Sequence, residues 1–440
     1  MRHSFAIPGN KYLSIKEIQM AKKTSTALSN FQGFEFGSEG NPTEFIPTGH
    51  AELDHIIASG LLSDESKGGT ETRSGGGFPT GKLVMIYGEP GGGKSSLGYA
   101  TCGSAQRMNK VPIWIDVENS FSESLAKING VDLSKIGRKH MYDRANPEKV
   151  FDGEYALDCV MDACRKGAGV VVLDSVASLV PRYVMENPAE KDTMAALARL
   201  LGKTVNKIAS LAAANNTLVI FINQLRVNPG AMFKDPEGYP GGKAIAHACS
   251  VILKVNQMRK KEAYTYIEDD EGNPKMIAGA ANVFIQKNRF AAPHFGGIKV
   301  PIYYENYFPQ VEETAFEVGR QTKSISVRNG VFSWGGLKVE GKKAFIAEIV
   351  AKGKLDDLVA DIKKDAEENA VVLPAAILNY EKHLAFAQQN KDRLEKGKKT
   401  ALNKKSKAEE VAEVIGEVTD STPNVDESEG EVETVDNVEL

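Results

Sequence analysis

Four short apolar runs, Leu83–Tyr87, Val111–Ile115, Val170–Leu173 and Leu218–Ile222, are separated by stretches long enough for helices, including Ser95–Met108, Val150–Lys166 and Met194–Ala214. The runs are rich in branched residues and show little polar alternation, so each predicts a strand buried on both faces. Strands of that kind alternating with helices restrict the chain to an α/β fold, a mainly parallel twisted sheet flanked by helices.

The first of these strands leads into Gly88-Glu89-Pro90-Gly91-Gly92-Gly93-Lys94-Ser95, with Ser96 following. This fits the phosphate-loop pattern G-x-x-x-x-G-K-[ST], in the strand-to-helix context that the pattern needs. Glycines leave backbone N–H groups free to curl around a phosphate chain, and the helix starting at Lys94 turns its positive end to the same place. Lys94 is then the residue that neutralises the β and γ oxygens of ATP, and the Ser95 hydroxyl is a ligand for Mg²⁺.

Such a site needs a carboxylate from a neighbouring strand to hold the metal. Asp174, which follows the run Val170–Leu173, has the required place at a strand's carboxyl end. Hydrolysis needs a base for water, and Ile113-Trp114-Ile115-Asp116-Val117-Glu118 offers two acids beyond another core strand. Glu118, just outside the strand, is the favoured base. Asp116 is the second choice, and either acid is also a possible helix N-cap.

Outside this core the organisation is coarser. Residues 1–45 form a leader with a weak helical stretch around Leu13–Leu28, and Leu61–Gly77 reads as a polar, glycine-rich loop or insertion. Residues 310–370 suggest a small separate α+β domain around Val331–Trp334. Ala370–Lys396 predicts one further helix, which closes a unit spanning 310–396. From Glu409 to Leu440 there are 12 Asp/Glu and no Lys or Arg, directly after a basic stretch, Lys391–Lys407. A like-charge block of that kind predicts a disordered acidic tail within 397–440, either a solubility appendage or a mimic of nucleic acid. Cys102, Cys159, Cys164 and Cys249 form no C-x-x-C pair, which points to reduced core thiols rather than a zinc site. No apolar run approaches the roughly 20 residues of a membrane span, and the N-terminal residues lack the apolar stretch of a signal peptide. The expectation is therefore a cytoplasmic protein, with Met20 as good a start as Met1.

The order of GGGFPTGKLVMIYGEPGGGKSS, WIDVENSF, VVVLDSVASLVPR, FINQLRVNPGAMFKDPEGYPGGKA and QKNRFAAP resembles the RecA-type homologous recombinases, from about Ile46 to about Lys364. The resemblance implies a RecA-like core over 46–309 and a family small domain that includes Trp334. It also makes the leader a polymerisation segment. Lys94, Ser95, Asp174 and Glu118 fall on the family's phosphate, metal and base positions. Gln224 falls on its sensor of the γ-phosphate, a role suited to a neutral amide that bonds a phosphate oxygen in one state and releases it in another. Lys287 and Arg289 match cations that reach the ATP of the adjacent subunit; without the resemblance they read as a solvated strand end. Two segments would bind single-stranded DNA. One is Met185–Met194 with the helix bearing Arg199 and Lys203, where Met194 is a wedge between bases or else a core methionine. The other is Arg226–Lys243, where Gly230, Gly238, Gly241 and Gly242 leave N–H groups for phosphates.

What the resemblance implies in function is a DNA-dependent ATPase. It would form a helical homo-oligomeric filament on single-stranded DNA, pair it with homologous duplex and exchange strands. A ring helicase on the same core, or a filament protein that binds ATP without turnover, are the alternatives. Departures include Leu125 in place of an adenine-stacking tyrosine, Ser122 in place of an acid, His247 and Pro229 in place of apolar or aromatic residues, and the reversed Glu89-Pro90 pair. The divergent leader, the insertion at Leu61–Gly77 and the added helix after Ala370 fit a phage-encoded member.

Overall fold

The computed structural model describes residues 44–62, 76–143, 145–146, 149–187, 193–227, 237–260, 263–268, 273–306, 308, 311–369 and 371–393. Leu13–Leu28, most of the insertion after Leu62, the middle of each DNA segment and the acidic tail lie outside them.

The core is one nine-stranded sheet. Its strands are β1 (Leu83–Gly88), β2 (Pro112–Asp116), β3 (Gly137–His140), β4 (Val170–Asp174), β5 (Leu218–Gln224), β6 (Val251–Gln257), β7 (Thr265–Glu268), β8 (Pro274–Asn288) and β9 (Ile298–Tyr303). Their order is β7-β8-β6-β1-β5-β4-β2-β3, with β9 also on β8. Strands β6, β1, β5, β4, β2 and β3 run parallel, and β8 pairs antiparallel with β6, β7 and β9. The phosphate-loop strand β1 is thus central, buried at every residue. Alternation is present in three dimensions although it is hidden in the sequence. Val84 and Ile86 join one apolar layer with Leu97, Trp114 and Val172, while Leu83 and Met85 join the other with Leu157, Leu173 and Phe221. Both faces are apolar because helices cover both.

The helices of the core are α1 (Ala51–Leu62), α2 (Lys94–Arg107), α3 (Glu123–Ile128), α4 (Gly153–Arg165), α5 (Arg182–Glu186), α6 (Thr193–Ala214) and α7 (Gly242–Ala248). Helix α4 starts at Gly153 rather than at Val150, because the Asp152 carboxylate accepts the Tyr155 N–H at 2.7 Å and caps it there. Cys102, Cys164 and Cys249 are buried and Cys159 is half-buried; all four are free thiols.

Beyond the sheet, a helix at Val311–Gln321, a three-stranded antiparallel sheet (Ser326–Arg328, Val331–Trp334, Leu337–Glu340) and helices at Lys342–Ala351 and Leu355–Glu368 share a third apolar cluster. Phe316, Phe345 and Ile362 are at its centre, with Ala51, Ile128 and Tyr303 of the core packed into it. Trp334 is anchored by a 2.9 Å bond from its Nε1 to Asp361. The single helix expected over Ala370–Lys396 is not formed. Residues 371–374 are irregular, a short helix covers Ala375–Leu378, and a second runs over 380–393. Pro374 is the reason: it lacks an N–H and disfavours helical backbone in the residue before it, so helix begins only after it.

Candidate functional site

The phosphate loop joins β1 to α2, and its glycines have different tasks. A Cβ on Gly88 would stand 1.9 Å from the Val255 carbonyl oxygen, and one on Gly93 would stand 2.3 Å from Ile302 Cδ1. Gly93, the N-cap of α2, also has a φ of 93°, a backbone that side chains disfavour. Gly91 has open space around it at a φ of 70°. The loop is therefore seated on β6 and β9, with Gly91 turned outward.

Lys94 is buried, and its Nζ donates to the Glu89 carbonyl at 2.7 Å. Burial lowers its pKa, opposed by the charges of Asp174, Glu118 and Glu89. The Ser95 hydroxyl donates to Asp174 Oδ2 at 2.8 Å, so the two expected metal ligands converge from α2 and β4. Burial pushes the Asp174 carboxyl up to about 6, against the hydrogen bond from Ser95. A hydroxyl and a carboxylate held together in a half-dry cleft are a hard-oxygen pair that suits Mg²⁺. Ser96 is buried behind them, and Pro90 is exposed at the loop's tip.

The two acids after β2 separate. Asp116 is buried and accepts the backbone N–H groups of Ser120 and Phe121 at 3.0 and 3.2 Å. It shapes the turn, with one bond on each oxygen. Val117 and Glu118 instead give their N–H groups to the Asp174 carbonyl at 2.7 and 3.3 Å, which turns Glu118 toward the end of β4. There its Oε1 accepts from Gln224 Nε2 and Ser178 Oγ, both at 2.9 Å, and from Ser175 Oγ. Gln224 is the last residue of β5, not a residue beyond it. Ser175 and Ser178 were missed in the sequence. A pair three residues apart after a strand-end acid was the signal, because the tight turn at Val176–Ser178 brings such residues onto one face. Arg259, which pairs with Glu89 Oε2 at 2.9 Å, had no signal at all.

Leu125 packs against the core and Ser122 caps α3 by accepting the Leu125 N–H, so both departures are structural in this fold.

The candidate DNA residues share one side. Met194 is 56% exposed at the start of α6, which removes the core-methionine alternative within this chain. Arg199, Lys203, Arg226 and Lys243 are exposed. Helix α7 packs on α6 through Gly241 and Gly242: a Cβ at Gly241 would lie 2.5 Å from Leu201 Cδ1, and one at Gly242 would lie 3.2 Å from Ala198 Cβ. They let the two helices approach closely. The stem of the second segment is tied to the nucleotide loop twice. Leu225 donates to the Gly88 carbonyl at 2.9 Å, and Tyr239 lies on Tyr87 with ring centres 4.9 Å apart.

Lys287 and Arg289 are elsewhere. In register, Lys287 faces Ile252, which faces Met85, and the Arg289 N–H bonds Ser250, whose own N–H bonds Leu83. They therefore stand about 10–16 Å along the strands from Gly88, at the opposite edge. Lys287 Nζ donates to the carbonyls of Ala246 and His247 at 2.7 and 3.2 Å, and Arg289 donates to His247 at 2.8 Å. The carbonyl end of α7 attracts such cations. Burial, with Arg289 beside it, lowers the Lys287 pKa.

The family model described as the RecA N-terminal domain matches residues 51–308. Protein RecA of Thermotoga neapolitana is 34% identical over 300 residues, 68% of this chain and 75% of the relative. Protein RecA of Thermus thermophilus is 30% identical over 340 residues, 76% of this chain and 88% of the relative. Protein RecA of Symbiobacterium thermophilum is 30% identical over 303 residues, 68% and 76% of the two chains. With the domain model matched over more than half its length, and with the sheet and phosphate loop described above, this chain belongs to the RecA family.

Proposed function

We propose that this recombinase-family chain is a DNA-dependent ATPase that assembles on single-stranded DNA as a helical filament, pairs it with homologous duplex and exchanges strands. The observation that carries the reading is the division of the site. Lys94, Ser95, Asp174, Glu118 and Gln224 converge at one edge of the sheet, while Lys287 and Arg289 lie at the other, out of reach of their own phosphate loop. A second subunit stacked edge to edge brings that pair onto the first subunit's ATP, and repetition of such a head-to-tail contact gives a filament.

The residues fit Mg²⁺ and ATP as follows. Gly88–Ser96 cradles the phosphates, with Glu89 and Pro90 forming the rim. Lys94 would exchange the Glu89 carbonyl for phosphate oxygens, and Ser95 and Asp174 would hold the metal. Bound Mg²⁺ supplies charge neutralisation on the phosphates. Glu118 orients a water and takes its proton, and Gln224 reports the state of the γ-phosphate to the segment that follows β5. Met194, Arg199, Arg226, Gly241, Gly242 and Lys243 bind the strand, and the cations among them make binding salt-dependent.

Negative-stain microscopy of the full chain with single-stranded DNA and a non-hydrolysable ATP analogue tests the reading. Helical filaments on the DNA are expected, together with ATPase activity stimulated by single strands. Closed rings that unwind forked duplex would instead point to a helicase and overturn it.

A further inference from the structure

One oxygen of the base, Glu118 Oε1, accepts hydrogen bonds from Gln224, Ser178 and Ser175. Three donors on one oxygen fix the carboxylate in a single orientation and lower the basicity of that oxygen, while Oε2 keeps its lone pairs. The arrangement describes a base whose orientation and basicity are set by its donors.

Two of the donors stand at the roots of the two DNA segments. Gln224 closes β5 and leads through Arg226 into the second segment. Ser178 ends the turn after β4, and four residues later α5 begins, the helix that precedes Met194 and Arg199 in the chain. Helix α5 is latched to the start of α4. Arg182 Nε donates to Asp152 Oδ2 at 2.6 Å, the Arg182 backbone N–H donates to Glu154 Oε2 at 2.7 Å, and the Gly153 N–H donates to the Val180 carbonyl at 2.7 Å. A cavity of about 380 Å³ lies beside α5; Asn119, Ser178 and Phe151 line it together with Met185 of α5. The short helix therefore has room to shift, and Ser178 is too near in the chain to stay behind. Helix α5 exposes Tyr183 at 54% and, at the rim of the cavity, Met185 at 38%, an aromatic and a soft apolar side chain of the kind on which unstacked bases settle.

We infer that Ser178 is a positioning residue that restrains the Glu118 carboxylate until a single strand of DNA on α5 draws it away, so that each DNA segment controls one donor to the base. Ser175, buried beside Asp174, is the fixed third donor. The inference rests on the proposed DNA-dependent ATPase activity and adds a residue that this activity does not itself require.

Steady-state ATPase measurements on the full chain, with and without single-stranded DNA, test it. In Ser178→Ala, kcat without DNA should rise about tenfold, the rate equivalent of one charge-assisted hydrogen bond. KM for ATP should be unchanged, kcat with DNA should change little, and the stimulation ratio should fall. Ser178→Thr, which keeps a hydroxyl, should restore the wild-type ratio. Two results overturn the inference alone while wild-type protein remains DNA-stimulated: an unchanged ratio in Ser178→Ala, or Ser178→Thr behaving as Ser178→Ala does. Wild-type protein without any DNA stimulation overturns the proposed function, and this inference with it.

Discussion

The two edges of the parallel strands carry similar polar groups in opposite circumstances. At the carboxyl edge, Lys94, Ser95, Asp174, Glu118 and Gln224 come from four different parts of the chain: Ser95 bonds Asp174, Gln224 bonds Glu118, and Lys94 bonds the Glu89 carbonyl of the phosphate loop. At the amino edge, Lys287 and Arg289 reach only carbonyls at the end of α7. Glu118 is held by three donors and Lys94 rests on a carbonyl of its own loop, so both edges are satisfied without turning over ATP. The difference teaches that two cations of one chain can be fully paired at a distance from its phosphate loop, so that their use at an ATP site would require a second subunit.

The strongest way to break the comparison is to remove the amino-edge cations. Lys287→Ala/Arg289→Ala protein should bind ATP nearly as wild type does, yet hydrolyse about 10³–10⁵-fold more slowly, the range that trans-acting arginines supply elsewhere. Mixing it with Lys94→Ala protein should recover part of the activity, because some junctions then combine an intact loop with intact cations. If no mixing ratio restores turnover while co-assembly on DNA is verified, the two edges do not meet.

Glu118→Gln tests the carboxyl edge itself. Turnover should fall about 10²–10⁴-fold, the usual contribution of a general base, with ATP binding retained and filaments persisting. Equal activity in that variant would remove Glu118 from the chemistry. Asp116, the other acid beyond β2, would then be the candidate, and its bonds to the amides of Ser120 and Phe121 would have to loosen.

A smaller effect should follow from shortening the second DNA segment, which sharpens how the carboxyl edge is governed. The deletion must spare Tyr239, which packs on Tyr87, and Pro240, whose carbonyl accepts from buried Asn223 at 2.9 Å. Removing residues 228–236 should abolish stimulation by DNA and flatten the salt dependence of binding, while basal nucleotide binding persists. Unchanged affinity for single strands would refute the assignment of that segment. The mildest change is Arg259→Ala. Its ion pair with Glu89 is open to water, with Arg259 76% exposed, and exposed pairs contribute at most about 1 kcal/mol. KM for ATP should therefore rise no more than about fivefold, with kcat unchanged. A large fall in kcat would mean that Arg259 belongs to the site.

Local chemistry made part of this molecule legible from the residues in order. The phosphate loop is eight consecutive residues whose backbone, not whose partners, does the binding, and Asp174 follows from a buried strand ending in an acid. The four central strands and the helices after them followed from runs of apolar residues. What needed the fold depends on groups distant in sequence. The choice between Asp116 and Glu118 turns on a carbonyl 58 and 56 residues away, at Asp174. The role of Gly241 turns on Leu201, 40 residues earlier. The break at Pro374 is a local signal that the helical composition of Ala370–Lys396 obscured.

By itself, then, the sequence determined the phosphate loop, the parallel core and the family, because these rest on short-range backbone geometry and on the solubility of apolar runs. Only the tertiary structure decided which partners each carboxylate has, that Ser175 and Ser178 bond Glu118, and that Lys287 and Arg289 stand away from their own phosphate loop. Those outcomes are set by strand register and by turns that bring distant residues within hydrogen-bond range, and neither leaves a periodic or compositional trace along the chain.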